Sequence, residues 1–204
     1  HLLYPVSKII EIISRISFTK RKKFNKIKTI CIGNIYIGGT GKTSLAIEIK
    51  KIFDERKIKS CFIKKFYSDQ FDEHNLLKKF GKVFSNNSRL KALQQAELED
   101  YKVAIFDDGL QDKTISYDLS FVCFNKKNFI GNGFLIPAGP LRENLKNINE
   151  YKNIFLIGNH EDTEPMIEKL TKLGDKLNFF EAEYSLLNLK DFDFNNENYT
   201  SSRC

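Results

Sequence analysis

The chain reads as an α/β protein, a P-loop NTPase-like, mostly parallel sheet flanked by helices, with an amphipathic helix at its N-terminus. Three observations predict this. Short apolar runs suited to buried strands alternate with helical segments, the pattern of a doubly wound sheet. One run, Thr29-Ile30-Cys31-Ile32, leads straight into a glycine-rich loop and a Lys-Thr pair. Another, Val103-Ala104-Ile105-Phe106, ends in the acidic pair Asp107-Asp108.

The glycine-rich loop organises the rest. Tyr36, Ile37, Gly38, Gly39, Thr40, Gly41, Lys42 and Thr43 follow the strand and precede a helical segment over residues 42–56. Glycines let backbone N–H groups turn towards an anion without a Cβ in the way. The new helix points its positive end at the same place. In that reading Lys42 reaches the β/γ-phosphates of a nucleotide and the Thr43 hydroxyl holds Mg²⁺. The general phosphate-loop pattern asks for glycine where this chain has Tyr36, so the Gly38-Gly39 pair must shape the loop instead. The competing reading is a glycine turn that merely caps a helix.

Asp107 and Asp108 close a four-residue apolar strand, the form in which a Walker B strand delivers a carboxylate to Mg²⁺. An acidic strand-to-turn junction is the plain alternative. Further strands are expected at residues 60–63, 82–84, 119–124, 154–157 and 179–184, with helices over residues 88–98 and 163–173. Asn125-Lys126-Lys127-Asn128 resembles a guanine-reading sequence, but Asn128 stands where that sequence needs aspartate, which counts against GTP. The stretch 131–143, rich in glycine and proline and ending in Arg142-Glu143, reads as a rigid functional loop.

Residues 2–18 place Leu2, Val6, Ile9, Ile13 and Ile16 on one helical stripe and Ser7, Lys8, Glu11, Ser14 and Arg15 mostly opposite. Eight of the 33 basic residues lie between Lys8 and Lys28, opposed only by Glu11, while the whole chain carries a net charge of +7. A basic amphipathic helix suits an anionic membrane surface. A helix packed on the core, followed by a solvated linker, fits the same periodicity. The division expected is 1–28 as a basic membrane-associating helix and linker, 29–160 as the P-loop core, and 161–204 as the start of a C-terminal portion. The chain reads as truncated at both ends.

With 41% hydrophobic and 29% charged residues over 204 positions, the composition is that of an ordinary globular protein and does not indicate disorder. No run approaches ~18 apolar residues, so no spanning helix is expected. Cys31, Cys61, Cys123 and Cys204 show no C-x-x-C spacing, which points to a reducing compartment and to neither zinc nor a disulfide framework. No basic groove interleaved with aromatics is present, so no nucleic-acid partner is expected.

Three stretches together resemble the tetraacyldisaccharide 4'-kinase family, the lipid A kinases of Gram-negative bacteria. Gly33-Asn34 with Gly38-Gly39-Thr40-Gly41-Lys42-Thr43 is similar to that family's G-N-x-x-x-G-G-T-G-K-T. Asp107-Asp108-Gly109-Leu110-Gln111 is similar to its D-D-G-F-Q. Gly131-Asn132-Gly133 through Pro137-Ala138-Gly139-Pro140-Leu141-Arg142-Glu143 is similar to its G-N-G…L-P-A-G-P-L-R-E. The resemblance implies ATP-dependent phosphorylation of the 4'-hydroxyl of a lipid disaccharide 1-phosphate, by a peripheral enzyme on the cytoplasmic side of the bacterial inner membrane. It implies that residues 36–43 wrap the ATP phosphates and that Thr43, Asp107 and Asp108 serve Mg²⁺. It further implies that Asp72 orients or deprotonates the sugar hydroxyl, with Lys42 and Asp108 as the other catalytic groups. Glu73, Gln111, Arg142 and Glu143 line the acceptor cleft in this reading. The chain departs from the family pattern at Ser44, at Lys65-Phe66-Tyr67, at Phe71 and at Asp112, where the family carries histidine. The family is also longer at its C-terminus. The rival reading is a P-loop ATPase or GTPase switch acting on a protein partner.

Overall fold

In the computed structural model, which describes residues 3–8, 11, 21–66, 71–159, 162–174 and 176–184, each apolar run is a strand. The order is β1 (Lys28–Gly33), α1 (Lys42–Glu55), β2 (Ser60–Lys65), α2 (Phe71–Phe80), β3 (Val83–Asn86), α3 (Arg89–Leu98), β4 (Val103–Asp107) and β5 (Leu119–Asn125). A 3₁₀ turn at Leu145–Asn147 and the one-turn helix α4 (Ile148–Tyr151) then precede β6 (Asn153–Ile157), α5 (Glu164–Thr171) and β7 (Asn178–Ala182). All strand pairs are parallel, in the order β3-β2-β4-β1-β5-β6-β7. Parallel neighbours need crossovers, which the helices supply.

The alternation within each strand decides which layer its side chains feed. Ile30 and Ile32 of β1 and Ile105 of β4 join Ala46 and Ile47 of α1, Phe62 of β2 and Leu77 of α2 in one core. Cys31, Phe106, Val122 and Phe124 point the other way and meet Ala92, Leu93 and Ala96 of α3 with Ile148 and Tyr151 of α4. Both faces of the central strands are therefore covered, which is why β1 and β4 read as continuous apolar runs. The chain moves to one side of β1 with β2 and β3 and to the other with β5, β6 and β7. That reversal puts the carboxyl ends of β1 and β4 at a topological switch point, where ligands bind in open α/β sheets.

Two findings differ in detail from the periodicity. Residues 4–8 are helical, but Ser7 and Glu11, from the polar stripe, are buried, whereas Leu3, Tyr4 and Val6 are exposed. Ser7 Oγ donates to the Leu135 carbonyl at 2.9 Å and accepts from the Ala138 N–H at 3.1 Å, and Asn144 donates to Glu11 at 2.7 Å. The polar side of this segment thus docks on the loop before α4. The rest of the apolar stripe, Leu2, Ile9, Ile13 and Ile16, lies outside the described residues. The basic stretch is also anchored in part, since Phe24 and Ile27 are buried and Arg21 pairs with Glu150 at 2.8 Å. The sheet continues past residue 160, with β7 as its edge strand. Among the described residues no helix is long and apolar enough to cross a membrane.

Candidate functional site

The glycine loop leaves β1 and turns into α1 through two left-handed glycines, Gly38 (φ 118°) and Gly41 (φ 75°). Gly41 occupies the N-cap of α1, so no side chain competes for the first-turn N–H groups. A Cβ on Gly41 would stand 2.7 Å from Tyr184 Oη and 3.0 Å from an Ile157 methyl. A Cβ on Gly39 would meet nothing within 4 Å, so that side of the loop is open. Inside the loop, the Thr40 hydroxyl is buried with no partner among the described residues. The Lys42 ammonium makes no hydrogen bond or ion pair with a described residue. A cradle of N–H groups, an unengaged ammonium and an orphan hydroxyl fit the oxygens of a nucleotide triphosphate.

The loop is held from behind by the stretch 131–143. The Asn34 amide donates to the Gly38 carbonyl at 3.1 Å, fixing the turn from within. Ile37 N–H donates to the Pro140 carbonyl and Arg142 N–H to the Ile35 carbonyl, each at 2.8 Å. Arg142 then extends its guanidinium to Asp108 Oδ1 at 2.7 Å, Asn34 Oδ1 at 3.1 Å and Gln111 Oε1 at 3.3 Å. One arginine thereby ties the glycine loop to the end of β4.

Asp107 and Asp108 take different roles. Asp107 is fully buried and accepts from the Thr43 hydroxyl at 3.3–3.4 Å and from Lys64 Nζ at 2.8 Å. Lys64, itself buried, also pairs with Glu73 at the start of α2. Burial alone would lower the Lys64 pKa, but the Asp107 and Glu73 carboxylates outweigh it and hold the ammonium above its ordinary value. Asp108 sits at a positive φ of 60° and faces the cleft, its carboxylate on Arg142. Of the three groups expected to serve Mg²⁺, the structure joins Thr43 and Asp107, while Asp108 pairs with Arg142. Hydroxyl and carboxylate oxygens are donors that Mg²⁺ takes, with phosphate and water completing its shell. No cluster of three or more His, Cys, Asp or Glu side chains suited to a metal occurs among the described residues.

The other expected residues divide. Gln111 donates to the Asn34 carbonyl at 3.0 Å and to Glu143 at 2.9 Å. Glu143 is buried behind the cleft wall and also accepts from Tyr151 and Asn147. Burial, followed by that carboxylate, pushes the Tyr151 phenol well up, so it stays a donor. Asp72 is exposed on the first turn of α2 and makes none of these contacts; its neighbour Glu73 is the one linked to Asp107 through Lys64. In front of Asp108 lies a cleft of about 670 Å³ that reaches Lys65, the start of α3 and the turn after Gln111. That volume is ample for a small-molecule site.

Sequence reasoning missed Lys64 and also Arg89, which lines the cleft and donates from Nη2 to the Asp108 carbonyl. Lys64 left no clear signal, since the Lys64-Lys65 pair at the end of β2 reads as the strand's exit into solvent. Arg89 left almost none, since a cation following a helix-capping serine is ordinary. Asn125-Lys126-Lys127-Asn128 is consumed internally: Asn125 Oδ1 accepts from the Lys127 and Asn128 N–H groups, and Lys126 pairs with Glu181 of β7 at 2.9 Å.

Comparison with known proteins shows the family of the chain. The family profile described as LpxK, Tetraacyldisaccharide-1-P 4'-kinase, matches residues 1–200. A tetraacyldisaccharide 4'-kinase of Pelagibacter ubique is 52% identical over 98% of this chain and 63% of its own length. One from Rickettsia rickettsii is 30% identical over 87% of this chain and 60% of its own length. The chain thus spans under two thirds of these relatives. Among solved structures, "apo" form LpxK from Aquifex aeolicus in complex with ATP aligns with a TM-score of 0.63 at 19% identity, covering 98% of this chain and 82% of that one. At that identity the likeness is one of fold.

Proposed function

The chain belongs to the tetraacyldisaccharide-1-P 4'-kinase family, and from that premise we propose that it carries the core of an ATP-dependent kinase acting on the 4'-hydroxyl of a tetraacyldisaccharide 1-phosphate. The observation that carries the reading is the Arg142 bridge. It joins the glycine loop, where a nucleotide would end, to Asp108 in the wall of a separate open cleft.

Phosphoryl transfer asks the protein for in-line placement and for charge neutralisation on the moving group. The N–H groups of residues 38–41 and the Lys42 ammonium meet the phosphate oxygens. Thr43 and Asp107 would hold Mg²⁺, which when bound neutralises and orients the β/γ-phosphates. Lys64 holds the Asp107 carboxylate in place through its 2.8 Å ion pair. Asp108 and Arg142 stand at the border between donor and acceptor. The assignment of Asp72 as the group that orients the attacking hydroxyl rests on the family resemblance.

An acceptor with several acyl chains stays in a bilayer, so the enzyme must reach the membrane surface. The outward Leu3, Tyr4 and Val6 and the basic stretch that follows support residues 1–28 as the membrane-associating part. Each Lys or Arg near an anionic surface contributes ~1 kcal/mol. The protein is accordingly assigned to the periphery of the inner membrane on its cytoplasmic side. In this reading the P-loop core runs from residue 29 through β7, which pairs with β6 in the same sheet.

The test is ATP-dependent phosphate transfer to tetraacyldisaccharide 1-phosphate in detergent micelles, with Lys42→Ala as control. Product is expected from the parent chain and a loss of at least ~100-fold from the variant, the scale of removing one preorganised charge from a transition state. Nucleotide hydrolysis stimulated by a protein and indifferent to lipid would overturn the reading in favour of a switch.

A further inference from the structure

The wall of the cleft at α3 is built differently from the wall at Arg142. It is formed by the N-terminus of α3, a ten-residue helix whose first turn holds no acidic residue and whose N-cap Ser88 makes no side-chain cap bond. The positive end of a helix favours an anion there. A second observation points the same way. Arg89 lines the cleft, yet the residue is only 8% exposed. Its Nη2 donates to the Asp108 carbonyl, its Nε is buried with no partner among the described residues, and its ion pair with Asp112 spans 3.7 Å, beyond hydrogen-bond reach. A guanidinium this buried is normally satisfied by a bidentate anion. The cleft walls also carry Lys65, Lys113 and Arg142, of which Lys113 pairs with Glu150 and Arg142 with Asp108.

The geometry points to a phosphomonoester subsite at the N-terminus of α3, formed by Ser88 and Arg89, that holds the phosphate already present on the acceptor. It rests on the kinase reading above, since that reading supplies an acceptor bearing a phosphate away from the reacting hydroxyl. Asp108 links the two walls: its carboxylate meets Arg142 on the donor side, and its carbonyl meets Arg89 on the acceptor side. A phosphate anchored at α3 would orient the sugar so that its free hydroxyl points back towards Lys42. Asp112 acts in this arrangement as the carboxylate that the phosphate displaces from Arg89.

The experiment is calorimetric titration of the chain, its glycine loop saturated with a non-hydrolysable ATP analogue, with two soluble sugars. One is the deacylated disaccharide 1-phosphate, the other the same disaccharide without phosphate. The phosphorylated sugar should bind at least ~10-fold more tightly, the worth of one charge-assisted hydrogen bond. Arg89→Gln should remove that preference and leave the affinity for the neutral sugar unchanged, with Arg89→Lys restoring part of it. Asp112→Asn, a change that leaves Arg89 in place, should widen the preference. Equal binding of both sugars by the parent chain overturns the subsite and spares the kinase reading. Equal weakening of both sugars by Arg89→Gln overturns it too, since that is the signature of a packing role. Displacement by inorganic phosphate as effective as by the sugar phosphate overturns the assignment to the acceptor. Binding of neither sugar by a folded, nucleotide-loaded chain overturns both readings.

Discussion

Lys64 shows how much one side chain can carry. Its ammonium lies between Asp107, which is fully buried, and Glu73 on α2. Removing one partner of a buried ion pair leaves the other charge desolvated and unpaired, at a cost of roughly 3–5 kcal/mol. Lys64→Met should therefore lower the unfolding free energy by about 3 kcal/mol in urea titrations. Adding Asp107→Asn should return more than ~1 kcal/mol of that loss, because the stranded charge is gone. Strictly additive losses would mean that the two groups do not share a desolvated site. The raised pKa of Lys64 keeps it charged below its ordinary value of 10.5, so its contribution is present at neutral pH and disappears only as the pH rises above that value. Lys64 also marks where the sequence was hard to read. In a strand of pattern Ser-Cys-Phe-Ile-Lys-Lys, a lysine is usually taken as the strand's exit into solvent, and only the β2–β4 register places it beside Asp107.

At the scale of elements, the glycine loop and the 131–143 stretch behave as one unit, and the glycines differ sharply in what they tolerate. Gly41 combines a left-handed backbone with a space already taken by Tyr184 and Ile157. Gly39 has neither constraint. Gly41→Ala should lower thermal stability and weaken ATP binding by at least ~10-fold, because strain of about 1–3 kcal/mol falls on the loop itself. Gly39→Ala should leave the melting temperature unchanged. Differential scanning calorimetry reads the contrast directly, and matching melting temperatures for the two variants would contradict the difference in space around the two glycines. The strands and the loop were legible because apolar runs and glycine spacing are local signals. The one-turn helix α4 was not, since Ile148–Tyr151 is too short to show a period. The outward turn of Leu3, Tyr4 and Val6 was equally hidden: periodicity separates two faces of a helix without saying which one docks. The contact of Ser7 with Leu135 decides it, across a separation of 128 residues.

For the molecule as a whole, the buried cysteines tie stability to alkaline pH. Cys31, Cys61 and Cys123 come from β1, β2 and β5, and all three thiols are buried. Burial pushes each of them up from an ordinary value of 9.0, Cys61 to about 12 and the other two further. The folded chain therefore keeps protons that the unfolded chain releases above about pH 9. A group whose folded pKa is raised stabilises fully below its unfolded value and loses that contribution as the pH climbs towards the folded one. The unfolding free energy should thus be flat with respect to these thiols below about pH 8 and fall above about pH 9. Each thiol contributes a slope approaching ~1.4 kcal/mol per pH unit, or about 4 kcal/mol for the three together. Urea titrations under reducing conditions at a series of pH values would measure it. Cys61→Ala should flatten the slope by about a third whatever its cost at neutral pH, because a slope counts protons and not contacts. A slope that the substitution leaves intact would assign the alkaline transition to other groups, with the buried phenols of Tyr117 and Tyr151, also pushed up by burial, as the next to replace.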